Sequence, residues 1–295
     1  ALILTAIVFA ARMLAPDTIG EQTRRHFLGA LRDHYAAQGV TEIEISIRRG
    51  RFEPQVGLVF DDLVITDKSA SSKPLCEMVS IKRMIVFANV HPEKLFDKEI
   101  PLTTTRIALI GIDANLTVSD DAVPSIGKLL PLPTFGPVCP RVDVHNAKIH
   151  LYGNDASRRP ITTELTKLTL LNRPQLDGSI DQAITVLGTA DFADGLNAEI
   201  KKTKTTNDIR CTVRNLRIEQ RLFDSLPLAF QEPLLESRGL DCICDVSIAA
   251  FLCEGKKPNF AVRSTIHEGS FHHPKLPKPI TQLHGVVSAD PNQIH

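Results

Sequence analysis

The spacing of apolar residues changes near residue 40 from a helical period to strict alternation. Ile43, Ile45 and Ile47 alternate with polar residues, which indicates a strand with one buried face. The same alternation recurs along the rest of the chain. It predicts strands at 57–66, 74–88, 104–118, 141–152, 161–171, 180–188, 196–201, 208–219, 240–252 and 259–266, with another beginning at Ser270.

Few helices interrupt these strands. Residues 125–130 form a short helical turn in this interpretation, and residues 222–237 carry apolar residues at helical spacing. The regular strand–helix alternation of a parallel α/β sheet is absent from the sequence. The expected fold is therefore mainly β, with one long curled antiparallel sheet that forms an open groove. A sandwich or a barrel would also hide alternating apolar faces, and periodicity alone does not separate the three.

The N-terminal segment, residues 1–15, has no charged residue before Arg12. A helix needs about 20 apolar residues to cross a bilayer, so this segment is too short by itself. The chain begins with Ala1 rather than Met, and we expect the segment to be part of a transmembrane or signal-anchor helix that begins earlier. The apolar core of a signal peptide and a buried helix are the alternatives.

Residues 16–39 are expected to form a polar amphipathic helix. Asp17 or Thr18 suits its first position, and Gly39 follows its end. This helix can lie on a membrane surface or close the end of a sheet, and its spacing favours neither. The remaining residues, 40–295, are expected to form a β-groove domain that is cut at its C-terminal end, with a sub-break at 120–140.

Composition narrows the range of partners. The chain has 34 basic and 34 acidic residues and a formal net charge of zero. Proteins that bind nucleic acid neutralise phosphates with an excess of Lys and Arg, and here the two signs are interleaved. We therefore expect no nucleic-acid partner. Lys201, Lys202 and Lys204 form a small basic run, which is more typical of a solvated strand edge than of a lipid-headgroup site.

His and Asp residues, which bind metals or catalyse reactions in enzymes, occur in pairs, but their spacing does not direct both members of a pair to one site. His272 and His273 are adjacent, so in a strand they point to opposite faces and do not share a metal ion. Alternation likewise separates Asp61 from Asp62, while Asp120 and Asp121 follow a strand and suit a turn. No phosphate-binding loop, nucleophile elbow or zinc-protease helix occurs. The protein is expected to be no enzyme, with neither a cofactor nor a metal.

Six cysteines are dispersed through the chain. Cys242 and Cys244 share one face of a predicted strand with apolar residues, and the single C-x-C motif has no second pair to complete a zinc site. The cysteines are therefore interpreted as buried free thiols, which behave as small apolar residues.

Three segments resemble the AsmA-like envelope proteins, the AsmA, TamB and YhdP group, which is related in architecture to chorein-type lipid-transfer proteins. They are RRGRFEPQVGLVFDDLVITD (48–67), RVDVHNAKIHLYGND (141–155) and GSFHHPKLPKPITQLHGVVSADPNQI (269–294). The order of an N-terminal membrane segment, a polar helix and many strands is similar too. The Leu-Pro-x-Pro followed by Leu-x-Gly in the third segment is the most specific of these features.

The resemblance implies a single-pass inner-membrane anchor with the β domain in the periplasm. It implies a role in glycerophospholipid traffic or outer-membrane homeostasis, with phospholipid acyl chains, the inner membrane and other envelope proteins as partners. It brings no catalytic residues. A non-lipid scaffold of the cell envelope, built as a filled β-sandwich, is the alternative function.

A lipid groove needs apolar side chains on a single face of several strands. Burial of apolar area contributes about 25 cal/mol per Å², so such a face attracts acyl chains without distinguishing headgroups. The candidate lining residues are Leu58, Phe60, Leu63, Ile65, Ile107, Leu109, Val142 and Val144.

Overall fold

Most of the chain is described by a computed structural model. It describes residues 2–53, 56–69, 76–89, 103–118, 125–129, 140–153, 159–175, 180–226, 239–273 and 275–291. Side chains are described from residue 20 onward, except at 88, 89 and 103.

Twelve strands form one sheet in which each strand lies beside its neighbours in sequence. The strands are β1 (Ile43–Glu53), β2 (Gly57–Asp67), β3 (Glu77–Asn89), β4 (Thr103–Thr117), β5 (Arg141–Tyr152), β6 (Ile161–Pro174), β7 (Ile180–Ala190), β8 (Ala193–Lys202), β9 (Thr206–Ile218), β10 (Leu240–Cys253), β11 (Asn259–Phe271) and β12 (Gly285–Ala289). The sheet is mostly antiparallel and is not closed, with β1 and β12 at its two ends. The prediction of a mainly β fold with an antiparallel sheet is confirmed.

One strand prediction is wrong. No strand begins at Ser270, because β11 continues through this residue to Phe271 and the next strand begins only at Gly285. The physical reason is an extra residue in β11. His267 is skipped in the pairing of β10 with β11, which shifts the alternation in mid-strand and imitates the end of a strand in the sequence.

Helix α1 (Leu2–Ala37) covers both N-terminal segments without a break. Within the described part of the chain, no helix is both long enough and apolar enough to cross a membrane. A 3-10 helix spans Ser125–Leu129, close to its predicted position. Helix α2 (Gln220–Ser225) occupies the start of the helix predicted at 222–237, and residues 227–238 lie outside the described residues.

The chain divides into two compact units. Unit 1 comprises residues 1–114 and 128–145, and unit 2 comprises residues 115–127 and 146–295. The division falls close to the sub-break expected at 120–140, but unit 2 takes in residues on both sides of it.

In unit 1, α1 packs against the strand at the end of the sheet. Gly20 lies directly against the backbone of Gly50 and Arg51 in β1. A Cβ atom at Gly20 would collide with the β1 backbone, and a Cβ atom at Gly50 would collide with the backbone of Gly20. The Phe27 ring stacks on Phe60 of β2 with 5.0 Å between ring centroids and 18° between planes. This packing needs glycine where the two backbones touch, and it covers apolar side chains that the strand presents.

The α1 helix also satisfies backbone groups of β1. Arg24 Nη1 donates to the Ile47 carbonyl at 2.8 Å, and Arg32 Nη2 donates to the Ile45 carbonyl at 3.3 Å. Glu21 holds Arg24 through hydrogen bonds of 2.6 and 2.7 Å, and its bond to Arg24 lowers the pKa of Glu21 to about 2. A strand at the end of a sheet exposes unpaired backbone groups, and here the helix arginines occupy two of them.

Ion pairs lie on the face of unit 1 opposite the α1 packing. The Asp143 side chain is 1% exposed and accepts from Arg106 Nε at 2.6 Å and Arg141 Nη2 at 2.8 Å. Asp61 accepts from Arg51 and from Arg83 Nε, the latter at 3.0 Å. Two cations around each buried carboxylate offset the cost of removing the charge from water.

Side chains alternate between the two faces of the sheet along each strand of unit 1. On neighbouring strands this alternation is interrupted at residues that lie side by side. Asp62 in β2 and Gly111 in β4 have φ values of 54° and 67°, and Lys82 of β3, which lies between them, is skipped in both of its pairings. On β1 and β3, two consecutive exposed residues mark this level: Arg48 and Arg49, and Lys82 and Arg83. A residue with positive φ or an extra residue moves the following side chains to the other face, so apolar residues stay on one face along the whole strand.

In unit 2, extra residues and residues with positive φ interrupt the alternation in the same way. Thr166 of β6, Asn215 of β9 and His267 of β11 are skipped in the ladders, and Asn146 and Asn215 have φ values of 55° and 50°. The "bulge row" of unit 2 comprises Thr166, Asp194, Gly195, Arg214, Asn215, Asp245 and His267. Asparagine tolerates the left-handed conformation better than most residues with a Cβ, which accounts for its use here.

Candidate functional site

The predicted lining residues share one face of unit 1, but they are mostly buried there. Register places Leu58, Val86 and Ile107 in one row across β2, β3 and β4, and Phe60, Met84 and Leu109 in the next. The residues Leu58, Phe60, Leu63, Ile107 and Val144 are 1–7% exposed, and Ile65, Leu109 and Val142 are half-buried. These side chains are brought together as a protein core, and their contact with lipid stays a prediction.

A second apolar face lies in unit 2 and contains none of the predicted lining residues. Its residues lie on one side of the sheet, beyond the bulge row, and follow from the register of β6 to β11. We call this surface the apolar stripe: Leu168, Leu170, Ile184, Val186, Leu196, Ala198, Ile200, Ile209, Cys211, Val213, Val246, Ile248, Ala250, Leu252, Phe260 and Val262. No charged residue belongs to it.

The apolar stripe is open where the corresponding face of unit 1 is covered. Ile248, Leu252 and Phe260 are 36–38% exposed, and the other members are half-buried. On the other side of the bulge row the same face is closed, because Leu165, Ala193, Cys242 and Cys244 are at most 5% exposed. The bulge row therefore separates a packed core from an open apolar surface within unit 2.

The opposite face of β8 and β9 is charged. Register places Glu199 directly beside Arg210, and Lys201 beside Asp208, on β8 and β9. Lys201 also pairs with Glu199 at 3.1 Å. Cross-strand pairs of opposite charge suit a face in contact with water, so this face of β8 and β9 is solvated.

A row of polar side chains borders the apolar stripe at the far ends of the strands. Asn172, Gln182, Lys202 and Asn207 are consecutive cross-strand neighbours on β6 to β9, on the face of the stripe. Gln182 Nε2 donates to Asn172 Oδ1 at 3.1 Å. The stripe is thus limited by the bulge row on one side and by this polar row on the other.

The bulge row is held by a polar network. Asp245 Oδ1 accepts from the Asn215 backbone N–H at 2.8 Å, and Asp245 Oδ2 lies 3.1 Å from His267 Nε2. Asn215 Nδ2 donates to Asp194 Oδ2 at 3.1 Å. The hydrogen bond from the Asn215 N–H, with the help of His267 and Arg214, lowers the pKa of Asp245. The network ties β8 to β11 at the level where their alternation shifts.

The prediction of buried free thiols is confirmed for two of the five described cysteines, and the other three are half-buried. Cys76, Cys211, Cys242, Cys244 and Cys253 are free thiols, and Cys242 and Cys244 are buried. Burial, together with the neighbouring Cys244, raises the pKa of Cys242 to about 11. A thiol with this pKa is protonated at neutral pH and is a poor nucleophile or metal ligand.

The other candidate groups for chemistry lie apart. Asp61 and Asp62 have separate partners, since Arg48 pairs with Asp62 at 2.6 Å. His273 stacks on Phe271 with 5.8 Å between centroids, and its Nδ1 accepts from the Lys275 backbone N–H at 3.2 Å. Asp120 and Asp121 lie outside the described residues. Across the residues whose positions are described, no group of three His, Cys, Asp or Glu side chains converges on a metal position.

Two cavities of unit 2 are lined mostly by residues outside the stripe. One of about 670 Å³ opens on the charged face, over the small side chains Ser247, Ala249 and Ala261. Another of about 470 Å³ lies at the turns that follow β8 and β10, beside the polar row.

The signal for the apolar stripe is present in the sequence. On β8 and β9, apolar residues such as Ile200, Ile209 and Cys211 alternate with charged residues such as Glu199 and Arg210. Alternation of this kind gives the two faces of a strand but not whether a second layer covers the apolar one.

No protein-family model matches the sequence, and comparison with curated proteins gives no significant match. The likeness to AsmA-like proteins therefore depends on the motifs in the sequence.

Proposed function

We propose that the protein binds lipid acyl chains on the apolar stripe of unit 2 and serves in lipid binding or transfer in the cell envelope. The observation that supports this is an aliphatic surface without charge that remains open on a sheet whose other face carries ion pairs.

The dimensions of the stripe suit acyl chains. Six strands at spacings of about 4.8 Å extend roughly 24 Å, and the step from Val213 to Ile209 along β9 adds about 13 Å. The resulting area, on the order of 300 Å², is comparable to the largest apolar patch of a typical monomer, which is often functional. Each methylene buried contributes about 0.8 kcal/mol, so ten of them supply about 8 kcal/mol before the entropic costs of binding.

A filled scaffold of the envelope is the second candidate. The observation that favours it is the burial of Leu58, Phe60 and Ile107 in unit 1, where protein covers the apolar face. A scaffold leaves the stripe of unit 2 without a lipid and uses the sheet only for its shape.

Mass spectrometry of the purified chain tests the proposal. We expect phospholipid to co-purify with the natural sequence and to be lost when Ile248 is replaced by Asp, because a carboxylate cannot enter an apolar contact without a large desolvation cost. The control is Ala249→Asp on the opposite face of β10, where the surroundings are polar. Equal lipid content in the two variants contradicts the proposal.

The anchor in the inner membrane through residues 1–15, and the position of the sheet in the periplasm, belong to the same proposal. Fractionation of cells that express the chain tests them: recovery in the inner-membrane fraction after a carbonate wash supports an anchor, and recovery in the wash contradicts it.

A further inference from the structure

Two turns of unit 2 enclose a cavity beside the apolar stripe. The turn after β8 (residues 203–205) and the turn after β10 (residues 254–258) line its walls, and its volume is about 470 Å³. Leu252 of the stripe and Asn207 of the polar row line the same cavity. An amphiphile whose chains lie on the stripe can therefore place its polar end in this cavity.

The lining of the cavity is basic. It includes Lys202, Lys204 and Lys256, against the single acidic residue Glu254. The side chains of Lys202 and Lys256 form no ion pair with any residue that the structure describes. Lys202 lies on the face of the stripe, directly beside Gln182 and Asn207, whereas the adjacent Lys201 lies on the other face and pairs with Glu199.

Hydrogen bonds fix the two turns relative to each other. The Glu254 backbone N–H donates to the Thr205 carbonyl at 3.0 Å, which joins one turn to the other. Thr203 closes its own turn, because its N–H donates to the Thr206 carbonyl at 2.8 Å and its Oγ1 accepts from the Thr206 N–H at 3.1 Å. Hydrogen bonds therefore fix the backbone of the turns that carry the lysines, which reduces the entropic cost of binding a ligand.

We propose that this cavity binds the phosphate group of an anionic amphiphile whose acyl chains lie on the apolar stripe. The inference rests on the proposed function and adds the class of ligand to it. Lysine ammonium groups bind phosphate as point charges, and the excess of basic residues favours a headgroup with a net negative charge over an uncharged one. A free phosphate has the same chemistry but gains nothing from the stripe.

Isothermal titration calorimetry with the full chain separates these sources. The probes are dihexanoyl phosphatidylglycerol, dihexanoylglycerol and inorganic phosphate, each present as monomers. The double variant Lys202→Gln, Lys256→Gln removes both unpaired lysines, and Lys201→Gln is the matched control on the opposite face. A Lys202→Arg, Lys256→Arg variant retains the charge.

We expect the double Gln variant to weaken binding of dihexanoyl phosphatidylglycerol by roughly tenfold and to leave dihexanoylglycerol binding unchanged. The control and the Arg variant retain the affinity for both lipids. Equal affinity for the two lipids, with no effect of the double Gln variant, overturns the headgroup site but leaves lipid binding intact. Absence of binding by either lipid overturns the proposed function and this inference together. Tighter binding of inorganic phosphate than of the anionic lipid overturns the assignment to an amphiphile.

Discussion

The backbone N–H of Asn215 donates to the Asp245 carboxylate across neighbouring strands, at 2.8 Å, where Asn215 adopts a φ of 50°. This contact stabilises the level at which the alternation of β9 shifts. On one side of this level, Val213, Cys211 and Ile209 belong to the apolar stripe. On the other side, Leu216 and Ile218 lie on the same face of the sheet. Without the shift, one half of the strand would turn its apolar residues towards the charged face.

Replacement of Asn215 tests the conformation. We expect Asn215→Val to lower the free energy of unfolding by about 1–2 kcal/mol, because a β-branched side chain is strained at positive φ. Asn215→Gly keeps the conformation accessible and serves as the control. Urea unfolding of both variants measures the difference, and equal stability of the two would contradict a requirement for positive φ.

The pH dependence of stability tests the role of Asp245. Its pKa is lowered in the folded protein, so its contribution is present above the pKa of the unfolded state and is lost as the pH falls through the folded value. The side chain is 45% exposed, and we expect an effect below about 1 kcal/mol because of solvent screening. Asp245→Asn should flatten the decline in unfolding free energy below about pH 4. An unchanged decline in this variant rules out the linkage.

Phe60 and Phe260 should have opposite effects on stability and on lipid binding. Phe60 is 1% exposed and packs against Phe27, so Phe60→Leu should cost about 1 kcal/mol of stability and Phe60→Ala about 4 kcal/mol, without a loss of bound lipid. Phe260 is 38% exposed on the stripe, so Phe260→Ala should change stability little and reduce bound lipid. Thermal unfolding and lipid analysis of each variant provide the comparison. Lipid loss in Phe60→Leu alone would place the lipid in unit 1.

The thiol of Cys242 should react slowly in the folded protein. Its pKa of about 11 lies two units above the ordinary value of 9.0, which reduces its thiolate about 100-fold at pH 8. We expect iodoacetamide to modify Cys253, the half-buried thiol at the end of the same strand, well before Cys242. Because the folded pKa is raised, the associated stability is present below about pH 8.5 and decreases as the pH rises towards 11. Peptide mass spectrometry follows the labelling, and equal rates at the two thiols would refute the burial argument.

Alternation in the sequence was sufficient to predict β1 to β11, but it missed β12, which begins at Gly285. Strict alternation puts Leu63 and Ile65 on the face opposite Leu58 and Phe60, and they share a face only because of the shift that the structure shows at Asp62. The shift at His267 misled the same reasoning, because one extra residue in β11 resembled the end of a strand.

Exposure of the apolar face could not be predicted from alternation. Phe60 and Ile248 both lie in predicted strands, but Phe60 is 1% exposed and Ile248 is 36% exposed. Helix α1 covers Phe60 through Phe27, a contact between residues 33 positions apart that no local period encodes. The position of Lys202 could not be predicted from the sequence either. The basic run of residues 201–204 indicated a solvated strand edge, and only the register places Lys202 on the face of the apolar stripe.

Photo-crosslinking on the two faces of β10 tests the central claim most directly. Ile248 and Phe251 are 36% and 46% exposed, and their register places them on opposite faces of the sheet. With p-benzoylphenylalanine at either position, we expect irradiation to attach phospholipid at 248 and not at 251, as read by mass spectrometry of the modified peptide. Attachment at 251 alone, or at neither position, would contradict lipid binding on the apolar stripe.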